Sequence, residues 1–216
     1  CHLLGDTNKV YLKEDSSTDG FEIITHPMTF EAQKKFGWRK ILEQLHKEGA
    51  RGYDSGNCGI HVHITKSSYS PLTWWKVVEF TYKCKSFIKM FAQRNGNYTY
   101  CNYLRPSSYS GYNDRKNTFP SNPSTRYTAL NFGDRHPTAE FRLFRATTKH
   151  ERFWASIEFT HALMDYCSNH GYPSIMRYDS EQVWGDFIKH VAKKTPQSTL
   201  LKHLKRRNLT NHALCV

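Results

Sequence analysis

Asn57-Cys58-Gly59-Ile60-His61-Val62-His63-Ile64 is the stretch whose reading decides how this chain folds. Polar and apolar residues alternate with period two, the pattern of a strand with one face buried and the other open. Ile60, Val62 and Ile64 share the core face, so His61 and His63 project together from the opposite one. Two imidazoles about 7 Å apart on a rigid strand suit divalent-metal or phosphate chemistry, because neutral imidazole ligates metals near neutral pH. The alternative, in a chain with 12 histidines, is an exposed strand face that carries them without chemistry.

Upstream, residues 9–13 alternate weakly and predict a short strand, 16–20 a turn, and 21–25 a second strand. On that strand Phe21, Ile23 and Thr25 share one face and Glu22, Ile24 and His26 the other, until Pro27 stops it. Thr29 is an N-cap for a helix marked by Phe30, Phe36, Ile41, Leu42 and Leu45 that ends near Gly49. Downstream, Pro71 opens a helix with Trp74, Val77, Val78, Thr81, Cys84, Ile88 and Phe91 at helical spacing. Residues 95–125, rich in Asn, Pro and Tyr, show no periodicity; a loop this long inside a compact domain is functional or mobile. Strands are predicted at 126–132 and 138–145, joined by a turn at 133–137 as an antiparallel pair. A long helix at 149–168 is ended by Gly171 and Pro173, and shorter helices follow at 179–193 and 196–207. The interleaving gives an α+β class, with a main domain over 1–175 and a helical extension with a basic tail over 176–216.

Thirty-one Lys and Arg against 19 Asp and Glu leave a net charge of +12. Such an excess favours phosphate-bearing partners, including ATP and nucleic acid. Lys193, Lys194, Lys202, Lys205, Arg206 and Arg207 crowd the C-terminal end, which reads either as a solvated helix face or as a weak nucleic-acid contact. No run of ~18 apolar residues predicts a membrane span. The first residues lack the basic and apolar regions of a signal peptide. Six cysteines without a CxxC pair argue against structural zinc, and Cys58 reads as a small buried residue rather than a nucleophile. Reduced thiols in the cytoplasm are the expectation.

A second alternating run, Ala139-Glu140-Phe141-Arg142-Leu143-Phe144, places Glu140 and Arg142 on one face with Phe141 and Leu143 toward the core. Alone, the pair reads as a same-face salt bridge. Beside His61, His63 and Glu22 it describes a sheet packed on helices on one side and lining a basin on the other. Carboxylates and a histidine in such a basin can hold Mg²⁺ or Mn²⁺ bridging nucleotide phosphates. Arg142, Arg126, Arg105 and Arg115 are candidates to neutralise a transferred phosphoryl group, the last two from a loop that would cover the nucleotide.

The segments 20–27, 58–63, 126–131 and 138–144, taken in that order, resemble the amidoligases, members of the glutamine-synthetase-like carboxylate–amine ligases that also include glutamate–cysteine ligase. The resemblance covers about residues 9–170. It implies a curved, mainly antiparallel sheet with helices on one face and ATP with Mg²⁺ or Mn²⁺ on the concave face. It also implies a reaction in which ATP phosphorylates a substrate carboxylate and an amine attacks the acyl phosphate. By position, Glu22, His61 and Glu140 resemble metal ligands, and Arg142 resembles the arginine that steadies the γ-phosphoryl group. Arg126 and Asn131 resemble a nucleotide- or substrate-binding pair, although alternation puts them on opposite strand faces. His63 is expected to support His61 or contact phosphate. Related ligases often assemble, so a homo-oligomer is an expectation. The family's opening Gly-x-Glu-x-Glu strand has no counterpart in the eight residues before Lys9. The expectation is a sheet lacking its first strand because the sequence is a fragment, because another chain supplies that strand, or because metal binding is reduced. Weakened or absent turnover of these 216 residues alone is expected with it.

Two other classes compete. A metal-dependent hydrolase or nuclease would use His61, His63, Glu22 and Glu140 to activate water. A non-catalytic remnant of the fold would bind nucleic acid or protein through its basic tail and tyrosine-rich loop.

Overall fold

The computed structural model describes residues 9–15, 20–54, 57–94, 100–105, 112–122, 125–133 and 137–211. The expected turn centres at 16–19 and 134–136 lie outside the described residues. The class is α+β, with small antiparallel sheets and several helices.

The described strands fall into two sheets rather than the single curved sheet that the resemblance implies. β1 (Val10–Asp15) and β2 (Gly20–Thr25) form an antiparallel hairpin in which Leu12 faces Ile23. Ile23 packs against a small cluster of Trp38, Ile41 and Trp154. The second sheet has the order β3-β5-β4, from β3 (Gly59–Thr65), β4 (Leu130–Asn131) and β5 (Thr138–Arg145), all antiparallel.

The pairing of β3 with β5 is irregular at one point. Ile60 faces Phe144 and Val62 faces Phe141, so Arg142 and Leu143 together lie opposite His61. A bulge of this kind adds a residue to one strand and breaks its alternation. Leu143 and Phe144, neighbours in sequence, both reach the core at 1% exposure.

Four expectations about elements change. The helix expected over 30–49 is two, α1 (Phe30–Lys35) and α2 (Trp38–Lys47), because Phe36 is extended and Gly37 restarts the chain. Thr29 caps α1 by accepting from the Ala32 amide, and Gly49, at φ +79°, closes α2 with a backbone conformation suited to glycine. The second long helix breaks at Cys84 into α3 (Pro71–Lys83) and α4 (Lys85–Ala92). The strand expected over 126–132 pairs only at Leu130–Asn131, and Thr128 instead bridges Asn102. The 95–125 segment contains a helix, α5 (Tyr112–Asn117).

α6 (His150–Asn169) forms as expected. Gly171 and Pro173 do not merely end it; they open α7 (Tyr172–Arg177), where proline in a first turn costs no hydrogen bond. α8 (Ser180–Lys194) starts on a capping box between Asp179 and Gln182, and α9 (Thr199–Arg206) on the Ser198 hydroxyl.

α3 lies at the centre, buried continuously from Thr73 to Thr81. The core joins its Trp74, Trp75 and Phe80 to Phe141 and Phe144 of β5, Phe159 of α6 and Trp184 and Phe187 of α8. Leu200 and Leu204 of α9 enter the same cluster, so the C-terminal helices complete the core of the main domain. Lys76 and Glu79 on α3 survive burial because each has partners: Lys76 donates to the His170 carbonyl at 2.8 Å, and Glu79 receives two arginines. No described helix is long and apolar enough to cross a membrane.

Candidate active site

Three strands bring three polar residues into one row. His63 of β3 is the cross-strand partner of Glu140 of β5, which is in turn the partner of Asn131 of β4. The side chains meet accordingly. Asn131 Nδ2 donates to Glu140 Oε2 at 2.8 Å, and His63 Nε2 lies 3.8 Å from Oε1. Thr138, at the start of β5, braces His63 through Nδ1 at 3.1 Å. The bulge opposite His61 then permits two further contacts with Oε1. His61 Nδ1 stands 3.1 Å away, and Arg142 Nη1 donates to it at 2.6 Å. His61, His63, Glu140, Arg142 and Asn131 therefore converge on the polar face of one sheet.

A second ring of contacts holds this group. Arg142 Nε donates to the Tyr100 carbonyl at 3.1 Å, and its guanidinium sits 5.6 Å from the Tyr127 ring. Arg94, at the end of α4, donates from Nη1 to the Arg142 carbonyl at 2.5 Å. Its guanidinium lies against Gly59, where a Cβ would come within 2.5 Å of Nη1. Asn131 Oδ1 accepts from Asn122 Nδ2 at 2.5 Å and from the Gly133 amide at 3.0 Å, which fixes its amide with the nitrogen toward Glu140.

The electrostatics follow from these contacts. Burial alone would raise the Glu140 carboxyl, but the His61 hydrogen bond, the Arg142 charge and the Asn131 amide outweigh it and hold it at about 2. Glu140 is thus an ionised carboxylate at 7% exposure. With Nδ1 engaged by that carboxylate, His61 leaves Nε2 buried and, among the described residues, without a hydrogen-bond partner. A buried polar atom without a partner costs stability unless something occupies it.

The described side chains offer a cation one candidate atom and no ligand cluster. Among the described residues, no group of three His, Cys, Asp or Glu side chains converges to hold a metal. Both Glu140 oxygens are engaged by protein donors, whereas His61 Nε2 offers a lone pair only when the ring carries a single proton, on Nδ1 toward Glu140.

The remaining candidates lie elsewhere. Glu22 stands on β2, in the separate hairpin, paired across it with Lys13. Arg126 is exposed beside the site, its guanidinium 5.1 Å from the Tyr127 ring and donating to the Tyr127 hydroxyl at 3.1 Å. It lies outside β4, so strand alternation does not govern where it sits. Arg105 and Arg115 clasp buried Glu79 on α3, and Arg115 also lies 5.1 Å from the Trp75 ring.

Arg94, Tyr100, Asn122, Tyr127 and Thr138 were not legible as site residues. Nothing in the sequence pairs Arg94 with Gly59, because the contact joins residues distant along the chain. The family model described as "Putative amidoligase enzyme" matches residues 6–164. No curated protein and no solved structure matches the chain.

Proposed function

The chain belongs to the amidoligase family, and from that premise we propose that it is an ATP-dependent carboxylate–amine ligase. In this reading ATP and Mg²⁺ or Mn²⁺ bind the polar face of the β3-β5-β4 sheet, the counterpart of the concave glutamine-synthetase-like face. The convergence of His61, Glu140, Arg142 and Asn131 on that face is the observation that supports it.

The reaction has two steps. A substrate carboxylate oxygen takes the γ-phosphoryl group of ATP, breaking its bond to ADP. A substrate amine then attacks the acyl carbon, and the amide forms as inorganic phosphate leaves and the nitrogen loses a proton. Arg142 sets its positive charge beside the transferring group, and its contacts with Glu140 and the Tyr100 carbonyl fix its plane. Arg126, sharing the Tyr127 ring with Arg142, supplies a second charge for nucleotide or substrate. His63, half exposed at the edge of the row, is the candidate base for the amine proton.

A divalent cation, when bound, would supply positive charge to the nucleotide phosphates. His61 Nε2 is the protein atom that fits it, with Glu140 setting the ring's tautomer and orientation. For Glu140 to ligate directly, one of its present donors must move. Glu22 is a further candidate carboxylate, carried by the other sheet. Arg105 and Arg115 reach nucleotide only by exchanging Glu79 for it.

The test is ADP release and hydroxamate formation from a panel of carboxylates, with hydroxylamine as the trapping amine and Mg²⁺ or Mn²⁺ present. Both products are expected, and both are lost in His61→Ala and Arg142→Gln. Nucleotide at about 100 times Kd should also stabilise the fold by about 2.7 kcal/mol. Absence of ADP release together with absence of any nucleotide-dependent shift would overturn the reading.

A further inference from the structure

Away from the polar face of the sheet, α9 lies against α6. The Leu200 amide at the start of α9 donates to Glu158 Oε2 in the middle of α6 at 2.5 Å. The last turn of α9 lies near Glu151 and Arg152 in the first turn of α6, so the two helices run antiparallel. Arg207 follows Leu200 by about 10 Å of helix, which matches the reach back from Glu158 to that turn. Arg206, Arg207 and Arg152 therefore meet at one end of the helix pair. Arg145, the last residue of β5, joins them and lies 6.0 Å from the Tyr53 ring.

This group holds four guanidiniums and, beside Arg207, Arg152 and Arg206, the His203 ring, with little to balance them. Glu151 is the acidic neighbour, and it already faces Arg39 at 3.6 Å. Among the described residues, none of the four arginines lies within ion-pair distance of a carboxylate. Burial first, and then the charges of Arg207 and Arg145, lower Arg152 from the ordinary arginine value. Clustered like charges without counter-charge destabilise a fold unless a partner supplies the opposite sign.

We propose that this face, formed by Arg145, Arg152, Arg206 and Arg207, is a binding surface for the phosphate backbone of a nucleic acid. Arginine presents a planar fork that pairs two donors with one phosphate, and four of them on one face match a chain of phosphates. Tyr53, at 36% exposure beside Arg145, adds a ring on which a base can stack. An anionic lipid surface fits less well. Binding in a membrane interface needs an apolar helix face, and Leu200, Leu201 and Leu204 of α9 are already buried in the core.

The surface is independent of the ligase reading, and it is tested by fluorescence anisotropy with a labelled 20-nucleotide single strand over a salt series. Four phosphate contacts give a slope of log K against log salt near about −3. The Arg206→Gln/Arg207→Gln variant should weaken binding about tenfold and flatten that slope by about 1.4. Lys189→Gln/Lys193→Gln removes the same two charges from α8 and should change affinity less than about twofold. Equal loss in the two variants would mean bulk charge rather than a surface, and would overturn the proposal. So would a wild-type protein that binds phosphatidylserine vesicles but not the strand, or neither. Circular dichroism melts check that each variant folds; Arg206→Gln alone, on an exposed position, serves if the double variant does not.

Discussion

His61 Nδ1 lies 3.1 Å from Oε1 of Glu140, and the Nε2 on the far side of the same ring is buried with no partner among the described residues. One nitrogen is held by a carboxylate that stays ionised, so the other is presented in a set direction. Carboxylate–imidazole pairs of this kind orient a ring for a ligand. The arrangement depends on β5 gaining a residue opposite His61, since a regular ladder would set a single β5 residue against it.

Glu140 ties this pair to acid stability. Its carboxyl is held at about 2 against an ordinary 4.5. A depressed carboxyl stabilises the fold fully above its unfolded value and loses that contribution as pH falls through its folded one. A depression of this size corresponds to about 3 kcal/mol. Urea unfolding of the wild type and Glu140→Gln should therefore differ by about 3 kcal/mol at neutral pH, the gap closing between about pH 4.5 and about pH 2. A gap that stays constant across that window would show that the carboxylate is not the cause.

His203 acts in a milder range. Burial, and after it Arg207 and Arg152, lower this imidazole from 6.5 to about 4. The unfolded ring takes up a proton below about 6.5 while the folded ring stays neutral until about 4, so acid destabilises the fold across that interval, by well under about 3 kcal/mol because water screens a half-buried ring. His203→Gln should flatten the stability profile there and leave the Glu140 window in place. An unchanged profile between those values would refute the assignment.

Glu79 is the anchor of the long loop. It is 3% exposed and holds both Arg105 and Arg115. Glu79→Ala removes the buried carboxylate that faces Arg115, itself set between the Trp75 and Tyr172 rings, and losing one partner of a buried pair costs about 3–5 kcal/mol. Hydrogen exchange should accelerate in 100–105 and 112–117 before it does so in α6. Uniform acceleration would point instead to global destabilisation.

Gly59 tests the packing behind Arg142. A methyl group there would meet the Arg94 guanidinium, which donates to the Arg142 carbonyl. Gly59→Ala should cost about 1–3 kcal/mol by overpacking. Arg94→Ala in the same background should cost less than in the wild type, because the clash disappears with the guanidinium. Additive losses would show that the two residues do not meet.

Much of the site was legible from local pattern. Alternation put His61 with His63 and Glu140 with Arg142, and the structure keeps those faces. Element boundaries were less legible. The interruptions at Gly37 and Cys84 fall inside stretches whose apolar spacing is continuous, so periodicity ran through them. Arg105 and Arg115 carried the right charge for a phosphate, but charge does not say which anion is nearest; it is Glu79.

The sequence by itself determined the family, the α+β class and the faces of β3 and β5, because side-chain period is a property of neighbouring residues. Only the tertiary structure decided what each polar group meets. The bulge sets His61 against Glu140, β4 delivers Asn131 to the other carboxylate oxygen, and antiparallel helices gather Arg152 with Arg206 and Arg207. Those pairings follow from register, and register is settled by how distant segments share a core rather than by anything written beside the residues themselves.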